Sequence, residues 1–277
     1  LMVSFLKALR KHHKGIKKIA ISLWDTDSYA VSLAAVSVAE CAQQLNFEAT
    51  ITTFCGDSFM HGLEFTDKFT VVFTNPPWEM LKADRRDLIL LVDASRTEYI
   101  QQLRLYDQRL HDAFPASRPT RKFAGWGTNL SRCGLELSVR LLEQDGICGI
   151  VLPSSLLNDQ TSEPLREWLF DSTALLHIAY YPAECRLFKG VDQNVVTLTL
   201  GKGGSKAPQK PVLITYDSGC REMRKSRLII DPAILKNNGH AIQIMTTPGA
   251  SKIIDSFHAF PTIEDLEHKE AFPLCLG

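Results

Sequence analysis

The chain has 277 residues, with 31 Lys+Arg against 31 Asp+Glu and a formal net charge of zero. Apolar residues make up 45% and charged residues 22%, which excludes a wholesale polybasic binder, an acidic disordered tail and low-complexity or collagen-like classes. No apolar run reaches the ~18–20 residues of a membrane span. The seven cysteines are widely spaced without a C-x-x-C pair, so we expect reduced thiols, no metal site and a cytoplasmic protein without membrane contact.

Residues 1–10 (LMVSFLKALR) have apolar positions at helical spacing and lack the parts of a signal peptide. Residues 19–24 (IAISLW) read as a buried strand, 29–45 as an Ala-rich helix, and 49–54 (ATITTF) and 69–74 (FTVVFT) as β-branched strands. Residues 129–144 form a helix with Leu130, Leu135, Leu137, Leu141 and Leu142 largely on one side. After the turn at Asp145-Gly146 come a strand at 147–152, a helix at 162–170 with Pro164 in its first turn, and strands at 176–181 and 195–200. Strands alternating with helices predict an α/β fold with a mostly parallel, doubly covered sheet and an antiparallel edge strand. Residues 201–212 read as a flexible Gly/Pro/Lys stretch. We therefore expect one α/β domain over 1–205, then a linker and the start of a second region over 206–277.

The sharpest chemical feature is Asn75-Pro76-Pro77-Trp78, directly after the strand at 69–74. Ligands of open parallel sheets bind beyond the carboxyl ends of the strands. Two prolines fix φ and remove two backbone donors, leaving a stiff loop with carbonyl acceptors. The Asn75 side chain adds an acceptor, and Trp78 adds a flat face for a planar ring. Such a loop suits a substrate bearing an NH2 group; a Pro-rich turn is the blander account. Asp25 closes the strand at 19–24, where a carboxylate meets ribose hydroxyls in nucleotide-binding folds, while Asp27 or Thr26 caps the next helix. Cys55-Gly56-Asp57-Ser58 ends the next strand, either as a Gly-Asp turn or with Asp57 accepting from an adenine amine.

Asp25, then Gly56-Asp57-Ser58, then Asn75-Pro76-Pro77-Trp78 resemble the S-adenosylmethionine-dependent N6-adenine DNA methyltransferases with an N-P-P-[YFW] motif. The likeness is to the gamma-class enzymes of type II restriction–modification systems, and it covers about residues 1–200. Asn129-Leu130, residues 146–155 (GICGIVLPSS), Leu165-Arg166 and Leu187-Phe188-Lys189-Gly190 resemble the later parts of that family. Phe260-Pro261-Thr262 is similar to the lead-in to a target-recognition domain. The resemblance implies a Rossmann-like methyltransferase sheet and S-adenosyl-L-methionine as cofactor, held by Asp25, Asp57 and Ser58. It implies Asn75, Pro76, Pro77 and Trp78 as the catalytic motif, with Trp78 and Phe188 stacking on a flipped-out adenine. Double-stranded DNA is the implied partner, with recognition and nuclease parts fused or separate.

One departure stands out. The family's glycine-rich cofactor loop and the strand before it have no counterpart. Gly125-Trp126-Gly127 and Gly201-Lys202-Gly203-Gly204 lie downstream of the Asn75 motif and read as turns. We therefore expect the sheet to lack its first, central strand, with residues 1–10 as the helix that follows it. His12-His13 reads as a solvated helix end. Arg85-Arg86, residues 118–122 and residues 221–227 are basic runs, either phosphate contacts or solvated faces. Three functions stay open: the DNA adenine-N6 methyltransferase, a protein-glutamine or RNA amino-methyltransferase using the same motif, and a non-catalytic DNA-binding remnant.

Overall fold

The computed structural model describes residues 1–83, 88–89, 91–119, 127–203, 208–231 and 235–244. The chain divides into two compact units, Leu1–Ile242 and Gln243–Gly277, and the elements that follow belong to the first. Arg85-Arg86, residues 120–122, Gly125-Trp126, Gly204 and Phe260-Pro261-Thr262 lie outside the described residues.

The first half alternates helix and strand: α1 (Met2–His12), β1 (Lys18–Asp25), α2 (Ser28–Gln44), β2 (Glu48–Cys55), a single turn α3 (Ser58–Gly62) and β3 (Phe69–Thr74). Then come α4 (Asp93–Ala113), α5 (Leu130–Leu141), β4 (Leu142–Pro153), α6 (Glu163–Ser172), β5 (Thr173–Tyr181), β6 (Val195–Lys202), β7 (Val212–Tyr216) and β8 (Glu222–Arg227). Each strand read from the sequence is present, most of them a residue or more longer than the apolar run that marked them. The helix expected at 129–144 stops at Leu141, because β4 already begins at Leu142. The Asp145-Gly146 signal is realised as an irregularity inside β4: Asp145 has φ 64°, and the pairing with β3 jumps from Phe69–Leu142 to Val71–Ile147.

The strands form two sheets. β1 and β2 pair in parallel, and the larger sheet has the order β3-β4-β6-β5-β7-β8. Within it β3, β4, β5 and β7 share one direction, while β6 and β8 run against it. The antiparallel strand β6 therefore sits between β4 and β5 rather than at an edge. Among the described residues β1 pairs only with β2 and β3 only with β4. The break falls between them, where the resemblance places its central first strand. Aromatic side chains span this seam. Trp24 of β1 meets Phe69 of β3 edge-on at 5.7 Å between ring centroids, and Phe5 of α1 lies 4.9 Å from Phe73 of β3.

Two apolar clusters hold the flanking helices. Leu6, Ile21, Val38, Cys41, Ala42 and Phe47 join α1 and α2 to the smaller sheet. Leu110, Phe114, Leu130, Cys133, Leu137 and Leu141 join α4 and α5 beneath β3. α5 packs against β3, β4, α3 and α6, so it buries polar residues as well as its leucines. Its Glu136 has no accessible surface and accepts from the Ser117 N–H (2.8 Å) and Oγ (2.7 Å) while pairing with Arg140. Those bonds answer a carboxylate that would otherwise be buried at several kcal/mol.

The sheet does not stop at residue 205, the boundary expected from the glycine- and lysine-rich stretch. Gln209 is buried there, accepting from the Leu175 N–H (2.7 Å) and donating to the Thr173 carbonyl (3.2 Å). β7 and β8 then extend the sheet beyond β5. Arg166 of α6 donates through Nη2 to the Gly239 carbonyl (2.7 Å) and through Nη1 to the Asp159 carbonyl (2.7 Å), tying the end of the unit back to the helix.

Candidate active site

The carboxyl ends of β1, β2 and β3 open into one cavity of about 1060 Å³. Asp25, Asp57, Ser58, Asn75, Pro76, Pro77, Trp78 and Phe188 all line it, so every site residue read from the sequence is brought to the same hollow. Its walls also include Trp24, Tyr106, Gly134 and Ser138.

Each residue is held by local structure. Asp25 ends β1, and its Oδ1 accepts the Asp27 N–H at 3.0 Å. Asp27 in turn caps α2, accepting from the Tyr29 (2.8 Å) and Ala30 (3.3 Å) N–H groups. The two carboxylates thus divide the work as expected, one at the cavity and one on the helix. Gly56 has φ 154°, and its N–H donates to the Asp25 carbonyl at 2.9 Å, which fastens the ends of β1 and β2 together. Asp57 carries a task that the sequence reading did not assign. It caps α3, its Oδ1 accepting from the Phe59 (2.9 Å) and Met60 (3.4 Å) N–H groups.

Asn75 and Pro77 are exposed and Pro76 is buried. Pro76 is pinned by α5: a Cβ on Gly134 would fall 2.4 Å from the Pro76 Cβ, so only glycine permits this approach. The segment after Trp78 pairs with the lead-in to α5, through Leu81 N–H to the Thr128 carbonyl (2.8 Å) and Leu130 N–H to the Glu79 carbonyl (3.0 Å). Trp78 meets Phe188 edge-on, with ring centroids 5.2 Å apart at 82°. The Trp78 indole N–H is buried and has no acceptor among the described residues.

Tyr106, on α4, was invisible to the sequence reading. Its hydroxyl hydrogen-bonds Asp57, and burial, the Asp57 charge and that bond drive its pKa well above the usual tyrosine range. Gly134 was likewise missed, since its role depends on what α5 touches.

The Eco57I restriction-modification methylase family model matches residues 6–188, well over half of the chain. The chain belongs to this family. The match begins within α1 and ends at Phe188, so it takes in Asp25, Asp57, Asn75–Trp78 and Phe188. No curated protein matches the methylase chain by sequence. Among solved structures it is similar to the type IIG restriction endonuclease BpuSI, at 16% identity and a TM-score of 0.54, covering 93% of this chain and 34% of that one. It is also similar to a chain from a structural study of complex assembly in a type I restriction–modification system, at 11% identity and a TM-score of 0.53, covering 93% of this chain and 56% of that one. These likenesses show a shared fold, and the methylase chain spans only part of either relative.

Family membership implies S-adenosylmethionine, and the cavity fits it. The volume suits a nucleoside-sized ligand, for which ~300–1,000 Å³ is usual. Two carboxylates stand at adjoining strand ends to accept from hydroxyl and amine groups, and the Asn75 loop borders the same space. Among the described residues no helix is long and apolar enough to cross a membrane.

Proposed function

We propose that this methylase is a DNA adenine-N6 methyltransferase of a restriction–modification or phage-defence system, acting on adenine flipped out of double-stranded DNA. The observation that carries the reading is the shared cavity. Asp25 and Asp57 at one end and Asn75–Trp78 at the other border a single hollow, with Phe188 against Trp78. Asp25, Asp57 and Ser58 would hold the nucleoside part of S-adenosylmethionine, which supplies an electrophilic methyl when bound. The Asn75 side-chain carbonyl and the Pro76 carbonyl would accept from the target amine. That draws the nitrogen lone pair out of the ring and toward the methyl. Trp78 and Phe188 would sandwich the extruded base, where stacking is worth ~1–3 kcal/mol per base. The prolines offer no competing N–H, so the amine finds acceptors only. Residues 1–205 would carry this chemistry, with 206–277 leading toward recognition of the DNA sequence.

The test has two steps. Titration of S-adenosylmethionine into the chain should give saturable one-to-one binding, and incubation with DNA should give N6-methyladenine. Asn75→Ala should abolish transfer while leaving cofactor affinity within about threefold, since it removes a contact made to the reacting amine. Methylated glutamine or guanine as the only product would replace this reading with that of an amide or RNA methyltransferase. Unchanged transfer by Asn75→Ala would overturn the mechanism.

A further inference from the structure

Asp57 lies at the end of β2, and the hydrogen bonds it makes restrict what it accepts next. A carboxylate offers about four lone-pair sites. Two are used by the Phe59 and Met60 N–H groups and a third by the Tyr106 hydroxyl. The fourth is left beside the cavity, and a ligand group there must donate. Tyr106 comes from α4, an element otherwise outside the strand-end machinery. The next residue on that helix, Asp107, accepts the Thr128 N–H at 2.6 Å, and Thr128 in turn accepts from Leu81 just beyond Trp78. Two consecutive residues of α4 thus hold opposite walls of one cavity.

We infer that Tyr106 is a positioning residue for Asp57, fixing the carboxylate with one free acceptor so that the cavity prefers a 6-amino over a 6-oxo purine. The inference rests on the reading of the cavity as a nucleoside cofactor site. Without the hydroxyl, the carboxylate gains a free lone pair and rotational freedom. A ring amine is then held less firmly, and a ring carbonyl is opposed less strictly.

The experiment is calorimetric titration of S-adenosylhomocysteine and its 6-oxo analogue, S-inosylhomocysteine. The proteins are the wild type, Tyr106→Phe, Asp57→Asn, which keeps a capping side chain, and the double variant. Tyr106→Phe should weaken S-adenosylhomocysteine about tenfold, the scale of one hydrogen bond to a charged group, and should narrow the preference over the 6-oxo ligand. In the Asp57→Asn background the same change should cost less than about twofold, because the pair acts as a unit. An equal loss in both backgrounds, or no loss in the wild type, overturns the inference; a purely structural tyrosine would lower the melting temperature without moving the preference. If the wild type binds neither ligand, the cofactor reading fails instead. The contact is then judged by phenolate absorbance, with the Tyr106 component taken as the difference between wild type and Tyr106→Phe. That component should ionise at lower pH in Asp57→Asn, and an unmoved titration refutes the positioning role.

Discussion

Cys133 on α5 and Cys148 on β4 are both inaccessible to solvent, and burial pushes each thiol up to about 12. For Cys133 the nearby Glu136 charge adds to this. In the unfolded chain the same thiols ionise near ~8.5. The folded state therefore keeps their protons to higher pH, and the resulting stability is complete below the unfolded value and lost as the pH rises toward 12. Urea unfolding should show a midpoint that falls between about pH 8 and pH 11, and Cys148→Ala should flatten that slope. A slope left intact by the substitution would assign the alkaline loss to other groups. At this scale the sequence was informative where function is written locally. The Asn75–Trp78 tetrapeptide and the end-of-strand carboxylates Asp25 and Asp57 are legible because the neighbouring strand is. The Trp78–Phe188 contact joins residues far apart in the chain and was legible only through the family resemblance. Asp57 proved to have two tasks, capping α3 as well as bordering the cavity, and a Gly-Asp pair does not distinguish them.

At the scale of elements, α5 sets the geometry of the Asn75 loop. Gly134→Ala would favour the helix by up to ~1 kcal/mol. Its methyl would nevertheless fall 2.4 Å from the Pro76 Cβ, so the loop must move. We predict a loss of methyl transfer of about a hundredfold, the cost of a small misplacement at a reacting centre, with little change in melting temperature. Full activity in this variant would show that the loop tolerates displacement. The elements missed in the sequence share a cause. α4 (DASRTEYIQQLRLYDQRLHDA) scatters charge round its circumference, and among its described residues only Leu110 is fully buried. β8 (EMRKSR) is an edge strand with almost every side chain exposed, so it shows neither alternation nor an apolar run. Its Arg224, Lys225 and Arg227 make a charged edge that discourages further strand pairing. Both elements are specified by what they pack against, and a local pattern carries no record of that.

For the whole molecule, the seam between β1 and β3 is the dominant feature. Each strand in a parallel sheet sends alternate N–H groups to its two sides. β1 is paired on one side only, so alternate amides of Lys18–Asp25 should exchange with solvent much faster than their neighbours. Hydrogen exchange resolved by residue checks this, and uniform protection along β1 would mean that its free edge is covered. The expectation of a sheet without its central strand came from the missing glycine loop, and the topology agrees with it. The continuation through β7, β8 and the Arg166–Gly239 tie was not legible, because residues 201–212 look like a linker.

The seam also changes what binding means for this chain. Asp25 belongs to the smaller sheet and Asn75 to the end of the larger one, so a ligand held by both is a staple between two separately hydrogen-bonded bodies. Its affinity and the cohesion of the two bodies then become a single free energy, read from opposite ends. Substitutions at Trp24 or Phe69, far from any reacting atom, would be felt as weakened binding, and saturating ligand would in part restore the cohesion they remove.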